Sequence, residues 1–319
     1  MICPERVEIR ELLWYNSVEF LYKMGNKMKT AVRYRVGLVV LLLLLIGVVA
    51  LIVGRLFPAK PKEPEDPHAG QVYVYDGFDW VWMTPYEGIP AATLTREDFS
   101  EVNGHLTYMG DKYTTLRGVD VSEHQYEVDW QRVAESGVDF AMIRVGRRGW
   151  TEGGLFEDPW FKRNIEGALG SGLQVGVYFF SQAVNVQEAI EEARFVIDRL
   201  SGYRVTLPVV FDWEKVEGAE DARTNDWNAA TLSDCAVAFC ETVKRAGYTP
   251  GLYFNRHLGY YGFDLPRMQD YVWWFALPEM GYPSFYYEVD MWQYSFNETV
   301  PGISGQADMN LIFYPTQTE

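Results

Sequence analysis

The sequence is poor in the residues that build metal and disulfide sites. Its 319 residues include three cysteines and four histidines. Cys235 and Cys240 lie five apart in a predicted helix and point in different directions, so they are not expected to form a disulfide with each other. We expect both to be small buried side chains, while Cys3 precedes the first apolar run. Because no CxxC pair or Cys/His cluster occurs, we predict no metal and no cofactor.

Basic charge is scarce in most of the chain. Residues 1–62 contain 10 Lys and Arg against 4 Asp and Glu, a charge of +6, which leaves −22 of the total −16 for residues 63–319. This acidic part of the chain repels phosphate polymers, so we expect no nucleic-acid partner. Aromatic residues make up 16% of the chain, which suits a large core and also carbohydrate binding, because sugar rings present apolar faces to aromatic planes.

One long apolar run lies near the N-terminus. Every residue from Val36 to Val53 is apolar or glycine, and such a run is long enough to cross a bilayer. We predict a transmembrane helix over residues 36–57. Basic residues concentrate before the run, which places residues 1–35 in the cytoplasm and the rest outside the cell membrane in a single-pass arrangement. No small-x-small cleavage site follows cleanly, and this favours a retained anchor over a cleaved signal peptide.

The next two segments differ in composition. Residues 58–70 are predicted to be a stiff linker, because four prolines fall among charges between positions 58 and 67. Residues 71–112 alternate strand-like pieces with turn-forming residues and are predicted to form a short β-rich segment.

A regular alternation of strands and helices begins at Arg117. Five strand–helix units follow one another, with a predicted helix ending at Gly137 and a long one from about Ala229 to Ala246. This pattern predicts an α/β fold with a parallel sheet, and a closed barrel is the arrangement that best fits the size. After Asn255 the helical signal weakens, so the second half is predicted to be irregular.

Four acidic residues fall at predicted strand ends. Asp212 and Glu214 close the apolar run LPVVFDWEK (207–215), Asp120 closes the first strand, and Asp308 lies near the last strand. Barrel active sites form at one end of the strands, and the first and last strands are neighbours, so these acids should converge. Side chains two apart on a strand leave one face about 7 Å apart. Carboxylate pairs are what glycoside hydrolysis requires, although an ordinary strand end with solvated acids is the alternative for the 212/214 pair alone.

Several blocks of sequence resemble those of glycoside hydrolase family 25, the lysozymes of bacterial and phage origin. The blocks are RGVDVSEHQYEVDW (117–130), PVVFDWE (208–214), GLYFN (251–255), and MWQYS with VPGISGQADMN (291–310). The resemblance covers about residues 113–315. It implies an irregular (β/α) barrel of eight strands with about five flanking helices over residues 113–319, preceded by the transmembrane helix and the β-rich segment.

The resemblance also assigns roles by position. Glu214 matches the general acid, Asp212 its partner carboxylate, and Asp120 and Asp308 the acids of the cleft floor. The predicted substrate-binding residues are Tyr178, Tyr253, Arg144, Trp274, Gln125 and Trp292. Plain packing or structural pairing is the alternative for Tyr178, Tyr253 and Arg144, and Arg144 is also a candidate to hold Asp120 or Asp308 ionised. His124 is expected to be a hydrogen-bonded loop residue.

Two positions depart from the family pattern. Tyr126 stands where the family usually has glycine, and WFALPEMGYP (274–283) lacks the usual Trp-x-Ala-x-Tyr ending. Both departures fall at the predicted rim of the cleft, away from the acids, and they put subsite preference in question.

The resemblance implies a muramidase that cleaves the β-1,4 bond between N-acetylmuramic acid and N-acetylglucosamine in peptidoglycan glycan strands. The predicted topology places this activity outside the cell, and an anchored enzyme that reaches only nearby wall is expected to act in wall remodelling. A catalytically silent peptidoglycan-binding module of a cell-wall assembly is the alternative, and the retained acids favour the enzyme. A chitinase-type barrel is disfavoured because the run D-x-x-D-x-D-x-E is absent. Two carboxylates on one side favour substrate-assisted chemistry, in which the acetamide oxygen attacks its own anomeric carbon and Asp212 orients the acetamide.

Overall fold

The computed structural model describes residues 5–57, 66–278 and 280–316. Cys3 and most of the predicted linker over 58–70 lie outside the described residues. The chain divides into two compact units, one ending at Ala69 and one beginning at Gly70.

Among its described residues, the first unit contains a single continuous helix, α1 (Glu5–Leu56), of 52 residues. Within Trp14–Leu56 an 18-residue window has a mean hydropathy of 3.4 and none of it is buried, so by length and composition the helix is able to cross a membrane. At about 1.5 Å per residue a helix of this length measures about 78 Å, well beyond a hydrocarbon core of about 30 Å. The predicted boundary at residue 35 is therefore not a break in the helix, because no proline occurs between Pro4 and Pro58 to interrupt it.

Two antiparallel hairpins open the second unit, as the β-rich prediction for residues 71–112 anticipates. The first pairs β1 (Val72–Tyr75) with β2 (Trp80–Met83), and the second pairs β3 (Phe99–Val102) with β4 (His105–Tyr108). Phe99 packs its ring against Trp292 at 5.3 Å between centroids, so this segment shares a core with the residues that follow.

Eight strands then close a barrel, as predicted. In chain order the barrel strands are β5 (Tyr113–Val121), β6 (Phe140–Arg148), β8 (Gln174–Ser181), β9 (Val209–Trp213), β10 (Pro250–Asn255), β11 (Val272–Ala276), β12 (Met291–Glu298) and β13 (Ala307–Pro315), with β7 (Leu155–Glu157) added antiparallel to the end of β6. The barrel closes because β5 pairs with both β6 and β13. Seven strands run parallel, and β13 runs antiparallel to both of its neighbours.

Helices cover the first half of the barrel. Four α-helices flank it within the described residues: α2 (Trp130–Glu135), α3 (Phe161–Gly170), α4 (Val186–Leu200) and α5 (Ala229–Arg245). A short π-helix, Leu258–Gly262, takes the fifth place after β10, and 3-10 turns follow or precede strands at Arg96–Asp98, Glu123–Gln125 and Leu265–Met268. Side-chain caps at the N-terminal ends of α2, α4 and α5 come from Asp129, Asn185 and Asn228.

The strands separate an inner core from an outer one. Along β6, Phe140 and Met142 belong to the cluster that fills the barrel, whereas Ala141 and Ile143 belong to the larger cluster under the helices. Alternate residues of a strand face opposite sides, so the next inward position after Met142 is Arg144. This alternation decides which polar side chains enter the barrel.

Candidate active site

Asp120 lies at the centre of the polar layer at one end of the barrel. It is buried, and its Oδ2 accepts hydrogen bonds from Gln293 Nε2 and Asn310 Nδ2, both at 2.8 Å. Asp308 is paired with Asp120 across the β5–β13 ladder. Because β13 is antiparallel, its first residues lie beside the last residues of β5, and this brings together two acids 188 positions apart in the sequence.

Asp212 and Glu214 enter the same layer from β9. Asp212 is 4% exposed, and its Oδ1 has no hydrogen-bond partner in the part of the chain that the structure describes. Trp213, between them, faces the outer core and contacts Trp227 at 5.4 Å between ring centroids. The 212/214 pair therefore shares one side, as the period of the strand predicts.

The backbone at Glu214 is fixed by a buried amide. Gln182 Nε2 donates to the Glu214 carbonyl oxygen at 2.8 Å, and Gln182 Oε1 accepts from Thr224 Oγ1 at 2.7 Å. Gln182 directly follows β8, and Thr224 lies in the loop between β9 and α5. These two bonds join the ends of neighbouring strands at the position that carries the candidate acid.

Burial raises the pKa of all four acids, and repulsion by neighbouring acids adds to the rise for Glu214, Asp308 and Asp212. Burial is the main cause in each case; it raises the pKa of Glu214 to about 7, with the Asp120 charge as the next contribution. The pKa of Asp308 rises to about 8 for the same two reasons, with Glu214 adding to the effect. Burial raises the pKa of Asp120 only to about 6, because the hydrogen bonds from Asn310 and Gln293 offset part of the effect of burial. Burial and then the Glu214 charge raise the pKa of Asp212 well above its usual range.

The two predicted tyrosines stand among these acids. Tyr253 donates its hydroxyl to Gln293 Oε1 at 2.7 Å, and burial raises the pKa of Tyr253 and of Tyr178 well above the usual range. Both hydroxyls are therefore neutral donors at ordinary pH. Trp274 is 1% exposed, contacts the two tyrosine rings edge-on at 4.9 and 5.9 Å, and donates Nε1 to Asn310. It supports the tyrosines from within the barrel.

Arg144 enters the barrel but does not pair with Asp120 or Asp308. Its Nε donates to Asp158 Oδ2 at 2.8 Å and its Nη2 to Glu123 Oε1 at 2.8 Å. The prediction that it holds Asp120 or Asp308 is therefore wrong: the guanidinium is taken up by two acids from the loops after β5 and β7. Its charge still lowers the pKa of Asp212, against the larger effect of burial.

Trp292 and Gln125 are placed differently from the other predicted contacts. Trp292 is fully buried in the outer core, and its Nε1 donates to the Leu277 carbonyl oxygen at 3.0 Å. It is a core residue and not a substrate contact, because its neighbour Gln293 takes the inward position. Gln125 Oε1 accepts from the Ser122 N–H at 2.9 Å in the 3-10 turn after β5, so its role toward substrate stays a prediction. His124 is an exposed loop residue whose N–H donates to Ser122 Oγ.

Three polar residues of the site did not come from the sequence reasoning. Gln293 and Asn310 hold Asp120, and Gln182 holds Glu214. A signal existed for two of them. Asn310 lies two positions after Asp308, and Gln293 lies two after the inward Met291, so strand periodicity puts both on the inner face.

Comparison with known proteins agrees with this geometry. The family described as Glycosyl hydrolases family 25 matches residues 119–303. The chain belongs to this family. It is therefore a glycoside hydrolase.

Curated relatives match much of the same region. An uncharacterized Escherichia coli protein, YegX, is 30% identical over 213 residues, which cover 62% of this chain and 70% of that protein. Lysozyme M1 of Streptomyces globisporus is 26% identical over 61% of this chain and 67% of its own length. The autolytic lysozyme of Clostridium acetobutylicum is 26% identical over 61% of this chain and 55% of its own length.

Solved structures share the fold. The autolysin LytC of Streptococcus pneumoniae, solved with a synthetic peptidoglycan ligand, superposes with a TM-score of 0.56 at 24% identity, over 68% of this chain and 52% of its own. This chain thus matches about half the length of that autolysin. A family 25 glycosyl hydrolase of Bacillus anthracis gives a TM-score of 0.53 at 23% identity, over 68% of this chain and 96% of its own.

Proposed function

We propose that this glycoside hydrolase is a membrane-anchored muramidase, which cleaves the β-1,4 bond between N-acetylmuramic acid and N-acetylglucosamine in peptidoglycan. The observation that carries the proposal is the set of four acids around one barrel mouth, among which burial raises the pKa of Glu214 to about 7. Relatives that carry the name lysozyme support peptidoglycan as the substrate.

Glu214 is proposed as the general acid. A carboxyl with a pKa of about 7 is about half protonated at neutral pH, so a large share of the molecules is able to protonate the glycosidic oxygen as the bond breaks. Its position is held by the Gln182 amide, which fixes the backbone from which the side chain extends. An acid held in place before the substrate binds loses little to reorganisation during the reaction.

Asp212 is proposed to orient the N-acetyl group of the substrate. Its buried Oδ1 lacks a donor among the described residues, and an acetamide N–H supplies one. The acetamide oxygen then attacks the anomeric carbon, the glycosidic bond breaks, and Glu214 gives its proton to the leaving oxygen. Water later opens the cyclic oxazolinium ion as Glu214 takes a proton back, which gives net retention.

Anchoring explains where the enzyme would act. The apolar part of α1 fits a membrane span, and Lys27, Lys29, Arg33 and Arg35 precede it. Positive charge on that side favours a cytoplasmic N-terminus and places the barrel outside, next to the wall. An enzyme tied to the membrane reaches only nearby wall, which favours remodelling over lysis.

The test is hydrolysis of purified cell walls by residues 70–319, the unit that is compact on its own. We expect turbidity to fall with walls and not with chitin, and mass spectrometry to find products with N-acetylmuramic acid at the new reducing end. Products that end in N-acetylglucosamine would contradict the bond assignment. Binding to walls without any product would mean a silent binding module.

A further inference from the structure

The hairpin β1–β2 carries an unusual outer surface. Four aromatic residues alternate with inward residues along its two strands and form what we call the aromatic face: Tyr73, Tyr75, Trp80 and Trp82. In the strand pairing Tyr73 lies opposite Trp82, and Tyr75 lies opposite Trp80. Tyr73, Trp80 and Trp82 are 53%, 60% and 45% exposed, whereas Val74 on the other side of the hairpin is buried in the core. Large aromatic side chains grouped in water mark an interaction surface rather than a packing layer.

The rings of the aromatic face form one continuous strip. Tyr73 stacks on Trp80 at 5.3 Å between centroids and contacts Trp82 at 4.9 Å, and Tyr75 contacts Trp80 at 5.8 Å. These spacings are comparable with the length of one pyranose unit. The strip therefore offers several adjacent apolar contacts to an extended chain of rings.

The hairpin is held firmly at its turn. Asp76 Oδ1 accepts the N–H groups of Phe78 and Asp79, and its Oδ2 accepts the Tyr261 hydroxyl at 2.8 Å. The backbone N–H of Asp79 is the main reason why the pKa of Asp76 lies below its usual range. A fixed turn presents the rings in one arrangement, which limits the ordering cost of binding.

The aromatic face lies at the mouth end of the barrel. The Arg256 guanidinium stands over the Tyr75 ring at 5.3 Å, and Phe78 contacts His257 edge-on at 5.3 Å. Both partners follow directly after Asn255, the last residue of β10. Two positions earlier on the same strand, Tyr253 stands among the acids of the candidate site, so the hairpin and the site occupy the same end of the barrel.

The charges around the face select among possible partners. The hairpin contains Asp76 and Asp79 and no lysine or arginine. Arg256 is 6% exposed and donates Nε to the Ser284 carbonyl oxygen, so it offers little to an incoming anion. Phosphate-rich polymers and anionic lipid surfaces are disfavoured, whereas the apolar faces of sugar rings require no positive charge.

We propose that the aromatic face is a second glycan-binding site, which holds a peptidoglycan strand where it leaves the catalytic cleft. The inference rests on the proposed function, because it takes the same polymer as ligand. The hairpin precedes residues 119–303, so the family match does not extend to it. A strand bound at both places dissociates more slowly than one held in the cleft alone.

The test removes the rings without touching the cleft. Trp80→Ala with Trp82→Ala is introduced into residues 70–319, and also into the same unit carrying Glu214→Gln so that binding is measured without hydrolysis. We expect binding to insoluble peptidoglycan to weaken about tenfold or more, since each lost stack contributes a sizeable part of the affinity. Hydrolysis of a short soluble tetrasaccharide from peptidoglycan is expected to stay unchanged. Tyr314→Ala, which removes a ring that is 42% exposed at the far end of β13, is the control and should alter neither quantity.

Other results identify other partners. If the double variant binds peptidoglycan as well as the unsubstituted unit does, the inference is overturned. If the double variant instead loses binding to phosphatidylcholine vesicles, the face is assigned to a lipid surface. A dimer that the two substitutions convert to a monomer assigns it to a second copy of the chain. If the unsubstituted unit hydrolyses no peptidoglycan, the proposed function fails and this inference fails with it; if it does hydrolyse the polymer, only the binding result decides the inference.

Discussion

Glu214 combines burial, like-charged neighbours and a backbone fixed by Gln182. Glu214→Gln removes the transferable proton and keeps the shape of the side chain. We expect turnover of cell walls to fall about 100- to 10,000-fold, with unchanged circular dichroism and unchanged pelleting with walls. Glu220→Gln, at an exposed carboxylate of the same loop, should keep full turnover. Wild-type turnover in Glu214→Gln would remove this residue from the mechanism.

The raised pKa values predict how stability depends on pH. In the folded protein the pKa is about 6 for Asp120, about 7 for Glu214 and about 8 for Asp308, whereas carboxyls in the unfolded chain titrate near pH 4. Between these values the folded state holds more protons than the unfolded state, so its stability falls as pH rises. We expect residues 70–319 to melt at a lower temperature at pH 8 than at pH 5.

Melting temperatures of a variant at pH 5 and pH 8 test whether the buried acids cause this pH dependence. Asp308→Asn removes one of the groups that release a proton over this range, so the difference between the two melting temperatures should narrow. A melting temperature that rises from pH 5 to pH 8 would contradict the buried, proton-holding character of the site.

Tyr126 has a backbone conformation that side chains rarely adopt. Its φ is 53° and its ψ is −130°, and its ring is 66% exposed, so little packing is lost when the ring is removed. Tyr126→Gly should raise the free energy of unfolding by about 1 kcal/mol, because glycine adopts positive φ without steric cost. Tyr126→Ala keeps the strained φ and should give no gain. Urea denaturation of residues 70–319 measures both, and equal stability of the two variants would show that φ is not the cause.

At the scale of elements, local signals predicted the ends of the helices well. The predicted stop at Gly137 agrees with a glycine at a φ of +84°, and the predicted start near Ala229 agrees with the Asn228 cap. The direction of a strand was harder to predict, because an alternating pattern of apolar and polar residues reads the same in both directions. The antiparallel direction of β13 therefore could not be predicted from its own residues.

Partners within the site were predicted less well than the acids. Asp120, Asp212 and Asp308 follow from strand positions, but the hydrogen-bond partner of a side chain depends on register between strands. Arg144 was given the wrong partners for this reason, since Glu123 and Asp158 come from loops whose course the sequence does not fix.

A buried ion pair joins β6 to α4. Arg148 Nε donates to Glu192 Oε1 at 2.7 Å, Ser181 Oγ donates to the other oxygen at 2.6 Å, and burial raises the pKa of Glu192 to about 7. Arg148→Met leaves this carboxyl in the core without its main partner, and we expect a loss of about 3 kcal/mol in the free energy of unfolding.

A surface pair provides the control. Arg267 pairs with Asp234 at 2.8 Å, with side chains that are 43% and 51% exposed, so Arg267→Met should cost less than about 1 kcal/mol. Denaturation in urea compares the two variants, and equal losses would contradict a structural role for the buried pair.

At the scale of the whole molecule, the prediction concerns topology. With the N-terminus inside, protease added to intact spheroplasts should digest residues 70–319 and leave a short fragment that contains the apolar part of α1. The same protease should digest an epitope tag before residue 5 only after the membrane has been opened. Protection of the barrel in intact spheroplasts would overturn the orientation.

The antiparallel β13 has a consequence for when the enzyme becomes active. Asn310 on β13 and Asp120 on β5 lie 190 positions apart, and their bond forms only when the two ends of the barrel meet. Contacts of such long sequence separation are slow to form. A chain that ends before Ala307–Pro315 lacks Asp308 and leaves the barrel open. We therefore expect hydrolase activity only once the last barrel strand is in place, and none from chains truncated before it.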